Sequence, residues 1–208
     1  MNGLPLYTFE TMDPDSERCK EHERFQKIDE AFRRGDLAAL RAAVDDPASV
    51  PNGRMPETIG PCLVYAIYHS PLDFIRVLLE IGADPDVDDG DGFPPLIAAL
   101  SCLRPVPGST GRGDVPEVLR LLLAFGADPN QRGINDYTPL HMAVGEGHLP
   151  SVLLLLEAGA DPRLRTRLDD YETPRELAEN MGLAPIAALL VEYELRFEKS
   201  PKGRQPPS

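Results

Sequence analysis

The stretch Thr138-Pro139-Leu140-His141-Met142-Ala143 limits the fold more than any other, because each of its residues suits a separate place at the start of a helix. Thr138 offers a side-chain oxygen to a free N–H of the first turn, and Pro139, which has no N–H, fits the first helical position. Leu140 and Ala143 then point inward. Gly147 permits a tight turn out of this helix, residues 151–157 predict a second helix packed by leucines, and Gly159 supplies the left-handed residue that ends it. The pattern recurs. Gly82-Ala83-Asp84-Pro85-Asp86 and Gly159-Ala160-Asp161-Pro162-Arg163 match the opening Gly126-Ala127-Asp128-Pro129-Asn130. Pro94-Pro95-Leu96-Ile97-Ala98-Ala99 and Thr173-Pro174-Arg175-Glu176-Leu177-Ala178 match the helix start.

With those registers in agreement, the unit 126–158 resembles a 33-residue ankyrin repeat. The resemblance implies an all-α ankyrin-repeat solenoid of about five helix-turn-helix repeats joined by short β-hairpin-like loops. We place an N-terminal arm, polar enough to be flexible, at 1–22, the repeat domain at 23–198 and a disordered tail at 199–208. The repeats fall at about 23–47, 48–81, 82–125, 126–158 and 159–198.

The first repeat is degenerate. Phe25, Ile28, Ala31 and Phe32 share one helical face, and Leu37, Leu40, Ala43 and Val44 form the next stripe, with charged Glu21, Glu23, Arg24 and Asp29 on a solvated outer side. Whether Leu6-Tyr7-Thr8-Phe9 forms a short strand or docks on this repeat stays open. The second repeat predicts helices from Pro61 to about Tyr68 and over 72–81. From Gly82 to Gly126 the spacing is 44 rather than 33, so eleven residues are extra. They lie near 102–113, between the two helices, where prolines and glycines forbid continued helix. This insertion reads either as a tolerated surface loop or as one that touches a partner. The fifth repeat, ending in a helix over about 185–197, reads as a C-terminal cap, since Arg175, Glu176, Glu179, Glu192 and Glu194 replace apolar residues.

The formal charge of −13 disfavours nucleic acid and acidic membrane surfaces as partners. Residues 159–208 hold nine acids and eight bases, which leaves −12 in residues 1–158. No apolar run is long enough for a membrane span, and the N-terminus lacks the pattern of a secretory signal. Three scattered cysteines argue against a disulfide framework, and we expect a cytoplasmic protein. Cys19 with His22 is too few ligands for a structural metal site. The Asp84–Gly92 run fails as a calcium loop, with Asp89 where glycine is required and Pro95 where a bidentate glutamate is required. No cofactor, metal site or catalytic residue is expected. His141 and His148 hold consensus positions whose imidazoles join helix and hairpin, and neither His22 nor His69 stands beside a nucleophile or metal motif.

What remains is binding. The resemblance implies a non-enzymatic protein–protein interaction module, an adaptor or scaffold, gripping another protein on its concave face of hairpin tips and inner helices. The alternative is an inhibitor or immunity-type protein whose acidic surface masks a basic site. A monomer is expected in isolation. Carried over by alignment, the partner-facing positions are Tyr65, Tyr68 and His69; Asp91 and Phe93; Ile134, Asn135, Tyr137, Met142 and Glu146; and Arg167 and Tyr171. Their aromatic content fits a contact surface, although Phe93 and Tyr137, at equivalent places just before a helix, also suit packing between adjacent hairpins. The hairpin after Gly82 carries aspartates and no base, and the one after Gly159 carries Arg163, Arg165 and Arg167. The two ends would therefore present opposite potentials.

Overall fold

The computed structural model describes residues 17–199 apart from 54, 56–58, 89–91, 105–110 and 168–170. The described residues form α-helices and short 3-10 turns, with no strand. The helices come in pairs: α1 (Glu17–Arg34) with α2 (Leu37–Ala43), α3 (Cys62–His69) with α4 (Leu72–Glu80), and α5 (Pro95–Ser101) with α6 (Val115–Ala124). They continue as α7 (Pro139–Gly145) with α8 (Leu149–Glu157), and α9 (Pro174–Asn180) with α10 (Ala184–Lys199). Helices α1, α3, α5, α7 and α9 stack in one row, and α4, α6, α8 and α10 in a second row behind it.

The Gly-Ala-Asp-Pro openings behave as one device used three times. Gly82, Gly126 and Gly159 have φ of 95°, 95° and 96°, a left-handed conformation that a Cβ would penalise. Each stands just past an outer helix, so the following alanine N–H reaches back into that helix. Ala83 bonds Leu78 O at 2.9 Å, Ala127 bonds Leu122 O at 3.1 Å and Ala160 bonds Leu155 O at 2.9 Å. All three alanines are buried. The aspartate that follows folds its carboxylate over the chain and accepts from the N–H two residues on, at 2.9 Å for Asp84, 2.9 Å for Asp128 and 3.0 Å for Asp161.

Adjacent openings are then tied edge to edge. The Asp84 N–H donates to Asn52 Oδ1 at 2.9 Å, the Asp128 N–H to Asp86 Oδ1 at 2.8 Å, and the Asp161 N–H to Asn130 Oδ1 at 2.7 Å. At the two asparagines the amide also donates back, from Asn52 to Gly82 O at 2.6 Å and from Asn130 to Gly159 O at 3.5 Å. Asp86 has no such proton to give.

Caps differ between repeats as their sequences do. Thr138 and Thr173 close capping boxes with His141 and Glu176, whereas Pro61 and Pro94 open α3 and α5 with no side-chain cap. His141 links two repeats. Its Nε2 lies 3.1 Å from Glu172 O and so carries the proton, which leaves Nδ1 to accept from the Thr138 hydroxyl at 2.8 Å. His148 does a different job from the one expected: it caps α8, its Nδ1 accepting from the Ser151 N–H at 3.3 Å. The hydrophobic seam between the rows runs through fully buried Ile28, Phe32, Ile75, Leu96, Leu119, Leu140, Leu155 and Leu190. Truncating one of these leucines to alanine costs about 2–5 kcal/mol in cores of this kind.

Helix α1 starts at Glu17, ahead of the arm boundary placed at 22. Residues 17–22 are charged and polar and carry no apolar stripe, so the 3.6-residue period begins later than the helix does. The first residues of the arm, the middle of the insertion and the tail from 200 onward lie outside the described residues.

Candidate partner-binding surface

The positions singled out in the sequence divide by what holds them. Tyr65 faces inward, not toward a partner: it is 9% exposed, its hydroxyl donates to Asp29 Oδ1 at 2.8 Å, and its ring stands 4.8 Å from Phe32. It ties the second repeat to the first. Burial works against ionising Asp29, but the bonds from Arg33 and Tyr65 outweigh it and hold the carboxyl below its usual range. Phe93 and Met142 are half-buried and pack against the core. Tyr137 is half-buried too, its ring 5.6 Å from that of His141. The expectation for Glu146 also changes, since its side chain is only 10% exposed and is taken by Arg104, whose Nε lies 2.6 Å away. Asp91 lies outside the described residues.

The remaining positions face solvent. On α3, Tyr68 is 39% exposed, and its hydroxyl lies 3.1 Å from Ser101 Oγ. Ser101 spends its own proton on Ala98 O at 2.8 Å, so Tyr68 is the donor and its ring is steered along the inner-helix row. His69 lies against Tyr65 with ring centroids 4.4 Å apart and the planes tilted by 44°, and burial, helped by the Arg33 charge, lowers its pKa below the ordinary histidine value. At the fourth repeat's tip, Ile134 is 39% exposed and Asn135 is exposed. At the fifth, Arg167 is exposed and Tyr171 is 60% exposed.

These tips have unusual backbones. Asn135, Asp136 and Tyr171 take φ of 53°, 62° and 57°. Asparagine and aspartate tolerate that region, but a tyrosine there costs on the order of 1 kcal/mol or more. Hydrogen bonding maintains it: Arg165 Nη1 donates to Tyr171 O at 2.6 Å, and the Thr166 N–H to Glu172 O at 3.1 Å. The fourth tip is pressed against the third, where the Ile134 N–H donates to Gly92 O at 2.6 Å. A Cβ at Gly133 would stand 2.5 Å from that same oxygen and 2.6 Å from Ile97 Cδ1, so only glycine allows the approach.

The expected contrast of charge between the two ends is smaller than the residue types suggest. Arg163 is bidentate to Asp161 at 2.9 Å and 2.9 Å, and Arg165 is bidentate to Glu176 at 2.8 Å and 2.8 Å. Arg167 Nε lies 3.5 Å from Asp136 Oδ2. The basic hairpin is therefore largely neutralised in place. The acidic one behaves differently: burial, with the neighbouring charges of Asp128 and Asp84, raises the Asp86 pKa although the Asp128 N–H pulls the other way.

Among the described residues the side chains of this surface are occupied by packing, hydrogen bonds and ion pairs or lie open to solvent. A groove of about 290 Å³ lies at the far N-terminal end, between α1 and α2, lined by Lys27, Glu30, Arg34, Asp36 and alanines, and it is open to solvent. Cys62 and Cys102 are buried thiols whose pKa values burial pushes up to about 12 and about 11. Among the described residues no three His, Cys, Asp or Glu side chains converge as metal ligands would, and no helix is long and apolar enough to cross a membrane.

Stacked helix pairs with a shared Gly-Ala-Asp-Pro device coincide with a family match. A model of ankyrin repeats in three copies matches residues 63–166 and 109–201. The chain belongs to the ankyrin repeat family. Ankyrin repeats are protein–protein interaction modules, generally without enzymatic activity of their own. The chain is 35% identical over 154 residues to protein PhlB of Serratia liquefaciens, a match covering 74% of this chain and 61% of PhlB. It is 33% identical over 133 residues to cyclin-dependent kinase 4 inhibitor B of Rattus norvegicus, covering 62% of this chain and 88% of the inhibitor. Ankyrin repeat protein nuc-2 of Neurospora crassa is 30% identical over 160 residues, but this chain spans only 13% of it.

The sequence missed Arg104 and Arg112, which carry no ankyrin motif, and the role of Asn52, Asp86 and Asn130. For Asp86 and Asn130 a signal was present, since they hold the same place after the proline of consecutive openings.

Proposed function

We propose that this ankyrin stack is a non-enzymatic adaptor that holds another protein along the flank running from α3 to the tips of the fourth and fifth repeats. The observation that carries the reading is the exposure of Tyr68, Ile134 and Tyr171, whereas Tyr65, Phe93 and Met142 from the same set of positions pack inward. Tyrosine and isoleucine exposed on a rigid backbone bury apolar area against a partner at little entropic cost. The proposed occupant is a protein rather than nucleic acid or a membrane, in keeping with the formal charge of −13. With Cys62 and Cys102 as buried thiols, a reducing compartment such as the cytoplasm belongs to the proposal.

The test is affinity capture from the native host, followed by calorimetry on the captured partner. Replacing Tyr68, Ile134 and Tyr171 together by alanine is expected to weaken binding by about 2 kcal/mol or more, the scale of a hot-spot loss. Unchanged affinity with an intact circular dichroism spectrum would remove this flank from consideration.

A second reading, an inhibitor covering a basic site on its target, is favoured by the −12 carried by residues 1–158 and by the similarity to a protein named as a kinase inhibitor. It predicts an association rate that falls steeply with added salt. A rate insensitive to ionic strength would leave the adaptor reading alone.

A further inference from the structure

In a solenoid each repeat touches its neighbours mainly through stacked helices, so two adjacent repeats come apart once those faces separate. The third repeat has an additional connection. Its insertion leaves α5 at Ser101 and is pinched shut at the base, where the Arg112 N–H donates to Cys102 O at 3.3 Å. Leu103 packs its half-buried side chain against the core just inside that closure. From this fixed base two arginines reach in opposite directions along the stack.

Arg112 reaches backward to the second repeat. Its Nη1 donates to Ile67 O at 2.7 Å and to Ser70 O at 2.8 Å, the carbonyls at the end of α3. Nε and Nη2 grip both oxygens of Asp114 at 2.8 Å and 2.9 Å, a hold that draws the Asp114 carboxyl below its usual pKa. With this side chain only 9% exposed, the guanidinium is committed to the site. Arg104 reaches forward to the fourth repeat, where Nη2 donates to Gly145 O at 2.9 Å and Nε meets Glu146 at 2.6 Å. Both arginines thus cap the carbonyl end of a neighbouring inner helix, the end that favours positive charge.

We propose that the insertion is a cross-tie: it fastens the inner helices of the second, third and fourth repeats into one cooperative unit and fixes the spacing of α3, α5 and α7. The extra residues do not loosen the stack, because their two ends are pinned across it. Each arm carries one side, Arg112 the joint to α3 and α4, Arg104 the joint to α7 and α8. This inference concerns the scaffold and stands whether or not the flank carries the proposed partner.

The test is residue-resolved amide hydrogen exchange on the full chain under native conditions, comparing the wild type with Arg104→Ala and Arg112→Ala. Arg104→Ala is expected to speed exchange in α7 to α10 by about fivefold while leaving α1 to α4 unchanged, as suits a largely exposed arm. Arg112→Ala is expected to do the reverse, speeding α1 to α4 by about tenfold or more, since a buried charged donor is lost. Should Arg112→Ala fail to fold, Arg112→Lys, which keeps the charge without the fork, is expected to give the same direction with a smaller change. Two variants with the same exchange profile, or changes confined to the amides beside the lost hydrogen bonds, would overturn the proposal.

Discussion

Asp86 occupies a rung where both neighbouring repeats use asparagine, and replacing it by asparagine tests the tie between openings directly. In the wild type its carboxylate accepts from the Asp128 N–H at 2.8 Å, as Asn52 and Asn130 do in their own rungs, but it cannot return a hydrogen bond to the next glycine carbonyl. Asp86→Asn would add a donor equivalent to the Asn52 bond to Gly82 O at 2.6 Å, worth about 0.5–1.5 kcal/mol. It would also remove a carboxylate that burial, Asp128 and Asp84 disfavour, at the cost of a charge-assisted acceptor. These electrostatic parts are small because the site is half exposed and screened. The expected net gain is about 1 kcal/mol, a rise in Tm of roughly 2–4 °C for a chain of this size. The pH dependence carries a sign of its own. The folded pKa of Asp86 is raised, so its penalty is present above that pKa and disappears as pH falls below the unfolded value. The advantage of the asparagine variant should therefore be largest near neutrality and shrink in acid. Thermal melts of both proteins between pH 7.5 and 4 decide it; a lower Tm for the variant, or a difference that does not shrink in acid, would refute the reasoning. The reciprocal change, Asn130→Asp, should lower Tm by a similar amount.

Burial brings His141 to a pKa of about 4, below its ordinary value, so the unfolded chain takes up a proton between about pH 6.5 and 4 that the folded chain refuses. Stability is expected to fall by about 3 kcal/mol as pH drops through that window. In urea titrations His141→Gln should be less stable at pH 7.5 but show a flatter decline; equal slopes would assign the acid sensitivity elsewhere. Gly133→Ala is expected to cost about 2 kcal/mol or more, because its Cβ must displace the backbone oxygen of Gly92 rather than a flexible side chain, and a Tm within 2 °C of wild type would contradict that. Gly159→Ala, with open space around the added carbon but φ at 96°, should cost about 1 kcal/mol, measurable by the same melts.

The helix pairs were legible in the sequence because glycine, proline and the apolar stripes each act locally. The start of α1 was not, since solvated charged residues show no period until Phe25 turns toward the core. For the surface the same limit appears at single residues. Tyr65 and Tyr68 stand one turn apart on α3 and have the same chemical character, yet one is drawn in by Asp29 on α1 and the other rests on Ser101 of α5. Which of two tyrosines is occupied depends on partners 36 and 33 residues away, and no local pattern encodes that. The arginines of the fifth hairpin show the same thing: their charge was plain, and the carboxylates that absorb it were visible only in three dimensions.

The ladder of Asn52, Asp86 and Asn130 runs along one margin of the molecule, and the lengthened connection between α5 and α6 leaves from the other. Alignment of successive units is thus enforced along the ladder border throughout, and on the opposite border where Arg112 and Arg104 grip the ends of α3 and α7, so the third unit holds its extra length without shifting the rest. A foreign peptide spliced into the α9–α10 turn, which neither arginine grips, would thus meet a tolerant site, whereas the same splice beside Asn52 or Asn130, or in the α3–α4 or α7–α8 turn, would throw neighbouring units out of line.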